Sequence, residues 1–560
     1  MSAKETREFD LVLAGGSLKT CSSMSVKNCS KTNSFSDGLS SIQYRITSEK
    51  RDAFFNSEIF SPNSKLVLDD VHSVFLNIYN KLDGAVVSKS QLRDAFADID
   101  QLDFYKSMSD ELYFAFHDYI EFPQILADGN RKQEHTNLAF NKNSHAVDVY
   151  QAFYNSAQIK AARKQQANIS EVTPHIVVVT ASSRDPFESA DFYQSVFQFF
   201  KAKVTWLPLD MTYQQAKGQC QRLQQIRANN LSFNRDVIYP KRVAQQKAMC
   251  EQPERMLEAI KSADGIFFNG GDQSRTIAAL TDKNGQPAEE LIVIRNMVEN
   301  KQLVVGGTSA GTAVQAGGFY KGKPVPMISN GDPKLALVRG AFATKPPSAR
   351  CSKSKTCQSS ELKPGDLTYR AEGGTGLFEL GLLDTHFSER DRESRLAVFS
   401  YMSGQRFAFG VDETSALLVN KQTNGDYHFE VVGQNGVFVV DMKQGQGKIV
   451  EAESNNYIAG LSHFLNQGDK AIYRAELDQL LFTFNSRSES LSKRMSAKGV
   501  VELDGKWRAV VGNKCGKREV IGWQNWQQTF AVQADDKTQF ARSPNKQCSY
   551  SNLPFVIKTN

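Results

Sequence analysis

Short apolar runs alternate with amphipathic segments between residue 175 and about residue 420, and this alternation predicts a parallel sheet. Four runs are apolar throughout: HIVVVT at 175–180, KVTWLPL at 203–209, GIFFNGG at 265–271 and QLVVGGTS at 302–309. Amphipathic helices are predicted between them, at 186–201, at 252–262, from near 274 and at 310–317. Strands without a polar face suit a parallel sheet that helices cover on both faces, so the sequence predicts an α/β core.

Two further regions flank this pattern. REFDLVLAGGS at 7–17 predicts a buried first strand that ends in a glycine turn. Residues 30–170 are predicted to form a mostly helical insertion, because apolar residues there follow helical spacing: Val71, Val74, Phe75, Ile78, Tyr79 and Leu82. The α/β domain is therefore assigned to 1–29 and 171–475, and 476–560 to a C-terminal extension whose role the sequence does not indicate.

The stretch GTSAG at 307–311 is the first candidate for a catalytic site. It fits G-x-S-x-G, in which a serine occupies a tight strand-to-helix turn and the glycines relieve crowding. Ligands of parallel sheets bind beyond the carboxyl ends of the strands, which is where Ser309 is predicted to lie. The N–H of Ala310 would be one donor to an oxyanion. The alternative is a turn of small residues that only packs a helix closely against the sheet.

Composition excludes some classes of partner. The 560 residues carry 67 basic and 61 acidic side chains, a net charge of +6 without a basic stripe, so nucleic acid is not predicted as a partner. No apolar run approaches the roughly 20 residues that span a bilayer, so no membrane association is predicted.

The cysteines indicate the compartment. They form four pairs that are close in sequence, and these predict disulfides: Cys21 with Cys29, Cys220 with Cys250, Cys351 with Cys357, and Cys515 with Cys548. The alternatives are free thiols or a metal site, but no pair has C-x-x-C spacing and no histidines cluster beside them. The predicted location is extracellular or periplasmic, after removal of a leader that precedes residue 1.

Four motifs in order carry a family resemblance: FFNGGDQSR at 267–275, GGTSAGTAVQ at 306–315, GLLDTHFSERDRESRL at 381–396 and FGVDETSALLV at 409–419. Together they closely resemble cyanophycinase and its relatives in the serine peptidase family that includes aspartyl dipeptidase. The resemblance covers roughly 175–345, 373–475 and the first strand. It implies a flavodoxin-like, class I glutamine amidotransferase-like fold and makes the α/β domain the catalytic one.

The resemblance also implies site residues. The nucleophile falls on Ser309, the general base on His386 and the orienting acid on Glu413, a set in which imidazole activates a hydroxyl and a carboxylate fixes the imidazole. Gly271 would supply the second oxyanion N–H beside that of Ala310. Asp384 is a competing acid, because it precedes His386 by two positions, but the resemblance places it in the substrate pocket.

The remaining motif positions match polar residues of the family's pocket: Gln273, Asp384, Arg390, Arg392 and Arg395. The arginines are suited to hold a free carboxylate, although a solvated basic helix start would look the same in sequence. Thr385 departs from the family, which has glutamine there, and this puts the recognition of cyanophycin in doubt.

These inferences predict a serine-type exopeptidase that hydrolyses cyanophycin to β-aspartyl-arginine through an acyl-enzyme. Hydrolysis of other aspartyl or β-aspartyl peptides is the first alternative, and a non-catalytic secreted binding protein on the same fold is the second. Amidotransferase chemistry is disfavoured because those enzymes have a cysteine nucleophile at the position of Ser309. No metal or organic cofactor is predicted, the predicted partner is a peptide substrate, and the family resemblance suggests a homodimer.

Overall fold

The apolar runs pair into a nine-stranded central sheet. The computed structural model describes residues 8–31, 35–60, 68–346, 362–450, 455–485, 487–489, 500–503, 506–543 and 545–560. The strands lie in the order Gln479–Thr483, Lys470–Arg474, Tyr427–Gly433, Ser415–Lys421, Leu11–Ala14, Val304–Thr308, Gly265–Phe268, His175–Val179, Lys203–Leu207. The last five are parallel to one another and the first four are antiparallel to their neighbours. The sheet is therefore mixed, with the predicted parallel strands on one side.

Helices join the parallel strands, as the alternation of patterns predicts. The expected helices are found at Ala190–Phe199, Pro253–Ser262 and Gln273–Leu280, whereas only the first turn of 310–317, Ala310–Ala313, is helical. The sequence between these elements adds Met211–Ala216, Leu223–Asn229, Arg235–Ile238, Pro240–Glu251 and Glu289–Glu299. The predicted α/β class is confirmed.

The described residues between 30 and 170 are mostly helical. Their helices are Ser48–Phe55, Leu68–Leu82, Lys89–Asp98, Leu102–Ser107, Asp110–Ile120 and Ser144–Gln165, and their small sheet pairs Val87–Ser88 and Glu121–Phe122 with Gln43–Tyr44. The predicted spacing is confirmed, since four of its six positions are buried in an aromatic-rich core: Val71, Val74, Phe75 and Ile78. The helix Ser144–Gln165 instead covers the central sheet, where a Cβ on Gly306 would lie 2.5 Å from the ring of Phe153.

A second sheet joins the C-terminal extension to the α/β domain. Its strands lie in the order Gly381–Thr385, Phe407–Val411, Gly436–Lys448, Tyr457–Asn466, Cys548–Thr559, Gln528–Val532, Ile521–Asn525, Val500–Leu503. Gln539–Arg542 pairs with the long strand Cys548–Thr559 and with Arg487–Glu489. Because Cys548–Thr559 pairs with Tyr457–Asn466, the extension continues the sheet that begins at the predicted histidine motif.

Shorter elements complete the described fold. Helices are found at Pro333–Arg339, Glu393–Ser403 and Trp507–Asn513. Leu367–Arg370 pairs with Met327–Asn330 and Ala341–Phe342, and Phe319–Tyr320 pairs with Lys323–Pro324. Within the described residues, no helix has the length and apolar character needed to traverse a bilayer. The same residues contain no group of three or more histidine, cysteine or acidic side chains arranged to hold a metal ion.

Three of the four predicted cysteine pairs are disulfides: Cys21–Cys29, Cys220–Cys250 and Cys515–Cys548. The fourth predicted pair, Cys351 with Cys357, lies outside the described residues. The bond Cys220–Cys250 links the turn after Met211–Ala216 to the end of Pro240–Glu251. The bond Cys515–Cys548 ties the region after the extension's helix to the strand Cys548–Thr559.

Removing the Cys220–Cys250 bond should destabilise the fold. The bond spans 30 residues of sequence, and restricting a loop of that length in the unfolded chain contributes about 3–4 kcal/mol to the free energy of unfolding. We expect Cys220→Ser with Cys250→Ser to lower that free energy in urea titrations by more than Cys21→Ser with Cys29→Ser, whose bond spans only 8 residues. Alkylation of these thiols in the native protein would contradict the pairing.

Candidate active site

Ser309 occupies a strained turn directly after the strand Val304–Thr308. Its φ of 55° and ψ of −115° fall where side chains other than glycine are rarely accommodated. Its N–H donates to the carbonyl of Ala14 at 3.0 Å, which ties the turn to the neighbouring first strand. A Cβ on Gly307 would lie 2.2 Å from the Gly311 carbonyl oxygen, and one on Gly311 would lie 2.4 Å from that of Phe268. The glycines of GTSAG are thus required by close backbone contacts, as the motif predicts.

The three side chains of the predicted triad form one hydrogen-bonded series. Ser309 Oγ lies 2.7 Å from His386 Nε2, and His386 Nδ1 lies 2.8 Å from Glu413 Oε1. The side chain of His386 is only 11 % exposed and that of Glu413 is 21 % exposed, so both are largely shielded from water. This is the arrangement in which a carboxylate fixes one nitrogen of an imidazole and leaves the other to accept a proton from a hydroxyl.

Gly15 and Gly16 hold the loops of His386 and Glu413 together. The carbonyl of Gly15 accepts from the N–H of His386 at 2.7 Å, and the carbonyl of Gly16 accepts from the N–H of Thr414 at 2.9 Å. A Cβ on Gly16, whose φ is 111°, would lie 2.5 Å from His386 Nε2. The sequence predicts a glycine turn here but does not predict its contact with the histidine. The two adjacent glycines after a buried strand are the only sequence feature that indicates a close backbone approach at this point.

Burial and neighbouring charges shift the pKa values of His386 and Glu413. Burial lowers the pKa of His386 below its usual value, Arg390 and Arg392 lower it further, and Glu413 opposes them. Burial alone would raise the pKa of Glu413, but hydrogen bonds from His386 and Ser17 outweigh it, so this pKa is lowered. Both directions favour a neutral imidazole beside an ionised carboxylate, the state needed for proton abstraction.

The backbone that carries the predicted oxyanion donors passes close to the serine. The backbone before Gly271 passes close to Ser309, since a Cβ on Gly270 would lie 3.3 Å from the Ser309 Cβ. Gly271 has a φ of 147° and approaches the Ser182 carbonyl so closely that a Cβ would lie 2.2 Å from its oxygen. Within the described part of the chain, the N–H groups of Gly271 and Ala310 donate to no other protein group. Both remain free to donate to a bound oxygen.

Several of the predicted pocket residues are held by contacts within the protein. Asp384 is buried, accepts from Arg395 Nε at 2.7 Å and pairs with Arg392 Nη1 at 3.1 Å. These two arginines and Asp384 therefore satisfy one another, and Asp384 does not contact the imidazole as a competing acid would. Gln273 Nε2 donates to the carbonyls of Ile328 and Ser329, at 2.7 and 3.1 Å.

Arg390 lies on an open cavity of about 490 Å³, which Arg392 also lines. Residues that sequence analysis did not single out line the cavity with it, among them Lys334 from the helix Pro333–Arg339 and Trp526 from the C-terminal extension. Lys334 Nζ lies 4.8 Å from the centroid of the Trp526 ring. Trp526 sits at a hairpin tip with a φ of 53°, where glycine or asparagine is usual. Neither residue belongs to a recognisable motif, and only the fold brings them to Arg390.

Thr385, the position that departs from the family, ends the strand Gly381–Thr385 and is 4 % exposed. Its carbonyl accepts from Arg392 Nη1 at 2.6 Å, and its N–H donates to Asp384 Oδ1 at 2.8 Å. Its backbone thus belongs to the buried arginine and aspartate cluster beneath the site.

Comparisons with known proteins find sequence similarity to cyanophycinases. No protein-family model matches it. It is 28 % identical to a cyanophycinase of Geminocystis herdmanii over 218 residues, which cover 38 % of this chain and 64 % of that protein. It is 26 % identical to a cyanophycinase of Trichormus variabilis over 196 residues, which cover 35 % of this chain and 51 % of that protein.

A solved structure of a peptidase from an acI-B1 Actinobacterium aligns with 56 % of this chain and 89 % of its own, at 15 % identity and a TM-score of 0.29. A likeness this weak carries no further conclusion. The matched sequence spans between about half and two-thirds of the length of the two cyanophycinases. The predicted resemblance is confirmed: over more than a third of its length, this chain is similar to cyanophycinases.

Proposed function

We propose that this protein is a serine-type peptidase. The observation that carries the proposal is the hydrogen-bonded series of Ser309, His386 and Glu413 at the carboxyl ends of the sheet strands. The similarity to cyanophycinases supports a peptidase. The order of the parallel strands supports a flavodoxin-like, class I glutamine amidotransferase-like arrangement. When the four parallel strands after the insertion are numbered along the chain, they lie in the sheet in the order two, one, three, four. The strand Leu11–Ala14 lies next to the fourth of them.

The geometry suits acyl transfer in two stages. Ser309 Oγ attacks the scissile carbonyl while His386 Nε2 takes its proton, and the N–H groups of Gly271 and Ala310 hold the resulting oxyanion. The C–N bond then breaks, and the amine leaves with the proton from His386. Water next attacks the ester on Ser309, again with His386 as base, and this releases the carboxylic acid and restores the serine. Glu413 fixes the imidazole throughout.

The proposed substrate is a peptide that bears a free carboxylate near the scissile bond. Three cationic side chains line the cavity described above, Arg390, Arg392 and Lys334, against the one carboxylate of Asp332. Cyanophycin, cut to β-aspartyl-arginine, is the first candidate, and other aspartyl or β-aspartyl peptides are the second. The disulfides support an extracellular or periplasmic location.

Loss of the nucleophile or the base should abolish turnover. Ser309→Ala and His386→Ala should each lower kcat by about 10³-fold or more, because neither variant can form and resolve the acyl-enzyme. A fluorophosphonate probe should label the wild-type chain at Ser309 and leave Ser309→Ala unlabelled. Ser90→Ala, on the exposed surface of the helical insertion, is the matched control. An unlabelled and inactive wild type would favour the non-catalytic binding protein.

Activity should persist to mildly acidic pH. Because the pKa of His386 is lowered, its neutral form survives below the usual histidine value of about 6.5, so kcat/KM should rise through an apparent pKa below that value. Arg390→Ala removes a positive charge that lowers this pKa and should therefore move the acidic limb to higher pH. An acidic limb that does not move in Arg390→Ala would show that Arg390 does not act on the imidazole.

Recognition of the carboxylate should depend on the cavity. Arg390→Ala should raise KM by about 10-fold or more for substrates with the free carboxylate, since a hydrogen bond to a charged group contributes about 1.5–3 kcal/mol. Amidation of that carboxylate should remove the difference between wild type and variant. Lys334→Ala should act in the same direction, whereas Lys283→Ala, in an exposed turn away from the cavity, should not. Equal losses on both substrates would contradict charge recognition.

The choice between the substrates rests on a direct comparison. Rates on cyanophycin, α-linked poly-aspartate and small aspartyl dipeptides, with products identified by mass spectrometry, assign the chain to one of them. Release of β-aspartyl-arginine would support the cyanophycinase proposal, and preference for dipeptides would favour the alternative.

A further inference from the structure

Arg508, in the C-terminal extension, contacts both loops that carry the proposed base and acid. It is the second residue of the helix Trp507–Asn513. Its Nη1 donates to Glu389 Oε1 at 2.8 Å and to Asp412 Oδ2 at 2.6 Å. Glu389 follows His386 by three positions, and Asp412 immediately precedes Glu413. One guanidinium therefore joins the histidine loop to the acid loop.

Each of these carboxylates also crosses to the backbone of the other loop. Glu389 Oε2, from the histidine loop, accepts from the N–H of Glu413 at 2.9 Å. Asp412 Oδ1, from the acid loop, accepts from the N–H of Ser388 at 2.8 Å. Asn435 adds a third link, because its Nδ2 donates to the carbonyl of Glu413 at 2.9 Å and to Glu389 Oε1 at 3.2 Å. The relative position of His386 and Glu413 thus depends on two carboxylates lying close together.

Two close carboxylates repel each other unless a cation lies between them. The side chain of Asp412 is fully buried, and burial raises its pKa to about 6, with Arg508 opposing and Glu389 adding to the rise. Lys506 contributes less, since it pairs with Asp391 at 3.3 Å and reaches only the backbone carbonyl of Glu389. Arg508 is therefore the cation that offsets the repulsion between the two bridging carboxylates.

We propose that Arg508 is a positioning residue for the active site, holding the loops of His386 and Glu413 at the distance their hydrogen bond requires. The inference rests on the proposed roles of Ser309, His386 and Glu413. It gives the extension, which lies outside the region of family resemblance, a part in the reaction. Arg508 itself contacts neither the serine nor the imidazole in the described structure.

The first test measures the chemistry. Arg508→Met removes the charge and keeps most of the volume, and it should lower kcat and the rate of fluorophosphonate labelling by about 10²-fold, the cost of a small misplacement of catalytic groups, with little change in KM. Adding Asp412→Asn retains the acceptor for Ser388 and restores the net charge of the cluster, so the double variant should recover much of the loss. Arg518→Met is the matched control, because Arg518 pairs with Asp536 within the extension.

The second test measures the imidazole directly, without turnover. Histidine NMR, with the His386 signal assigned by His386→Gln, gives the pKa of the imidazole, which is faced by Glu413, Arg390 and Arg392. Arg508→Met leaves one excess negative charge on the two loops and should raise this pKa, and the double variant should return it toward wild type. A lower melting temperature with unchanged pKa and labelling would overturn the proposal. If the wild-type chain does not label, the proposed function fails, and the pKa comparison still decides the role of Arg508.

Discussion

The close approach of Gly15 and Gly16 to the histidine and acid loops is the contact on which the site depends. The first strand ends between the serine strand Val304–Thr308 and the antiparallel strand Ser415–Lys421. From that position the carbonyls of Gly15 and Gly16, which follow the strand, reach the N–H groups of His386 and Thr414. A Cβ on Gly15 would lie 2.1 Å from the Asp412 carbonyl oxygen, so a larger residue would separate these backbones. The two sheets therefore meet where the proposed nucleophile, base and acid converge.

Strain is concentrated at the same point. Ser309, His386 and Thr414 all have positive φ values, between 48° and 57°. Each such residue costs of the order of 1–3 kcal/mol and persists only where its surroundings fix it. Here the fixing bonds are those to Ala14, Gly15 and Gly16, all from one short segment. The fold holds three side chains in geometries that an isolated loop would not maintain.

The sequence predicts those parts of this arrangement that depend on local patterns. Apolar runs predict the parallel strands, and GTSAG predicts the turn of Ser309, because strand burial and glycine crowding are local properties. The same holds for the three described disulfides, whose partners are close in sequence. The roles proposed for His386 and Glu413 came instead from a family resemblance, since a single histidine or glutamate carries no local signature of catalysis.

Contacts made by the extension could not be predicted, for a physical reason. Trp526 and Arg508 belong to an extension whose strand Cys548–Thr559 pairs with Tyr457–Asn466, and no short-range pattern fixes which strands pair across such a distance. The pairing places the helix Trp507–Asn513 against the loops below the imidazole, with Trp507 packed on Phe438 at 5.2 Å between ring centroids. Phe438 in turn stacks on Phe387, the residue after His386, at 5.2 Å. An apolar stack and the Arg508 ion pairs thus converge on the same loop, and the extension is continuous with the core that holds the proposed base.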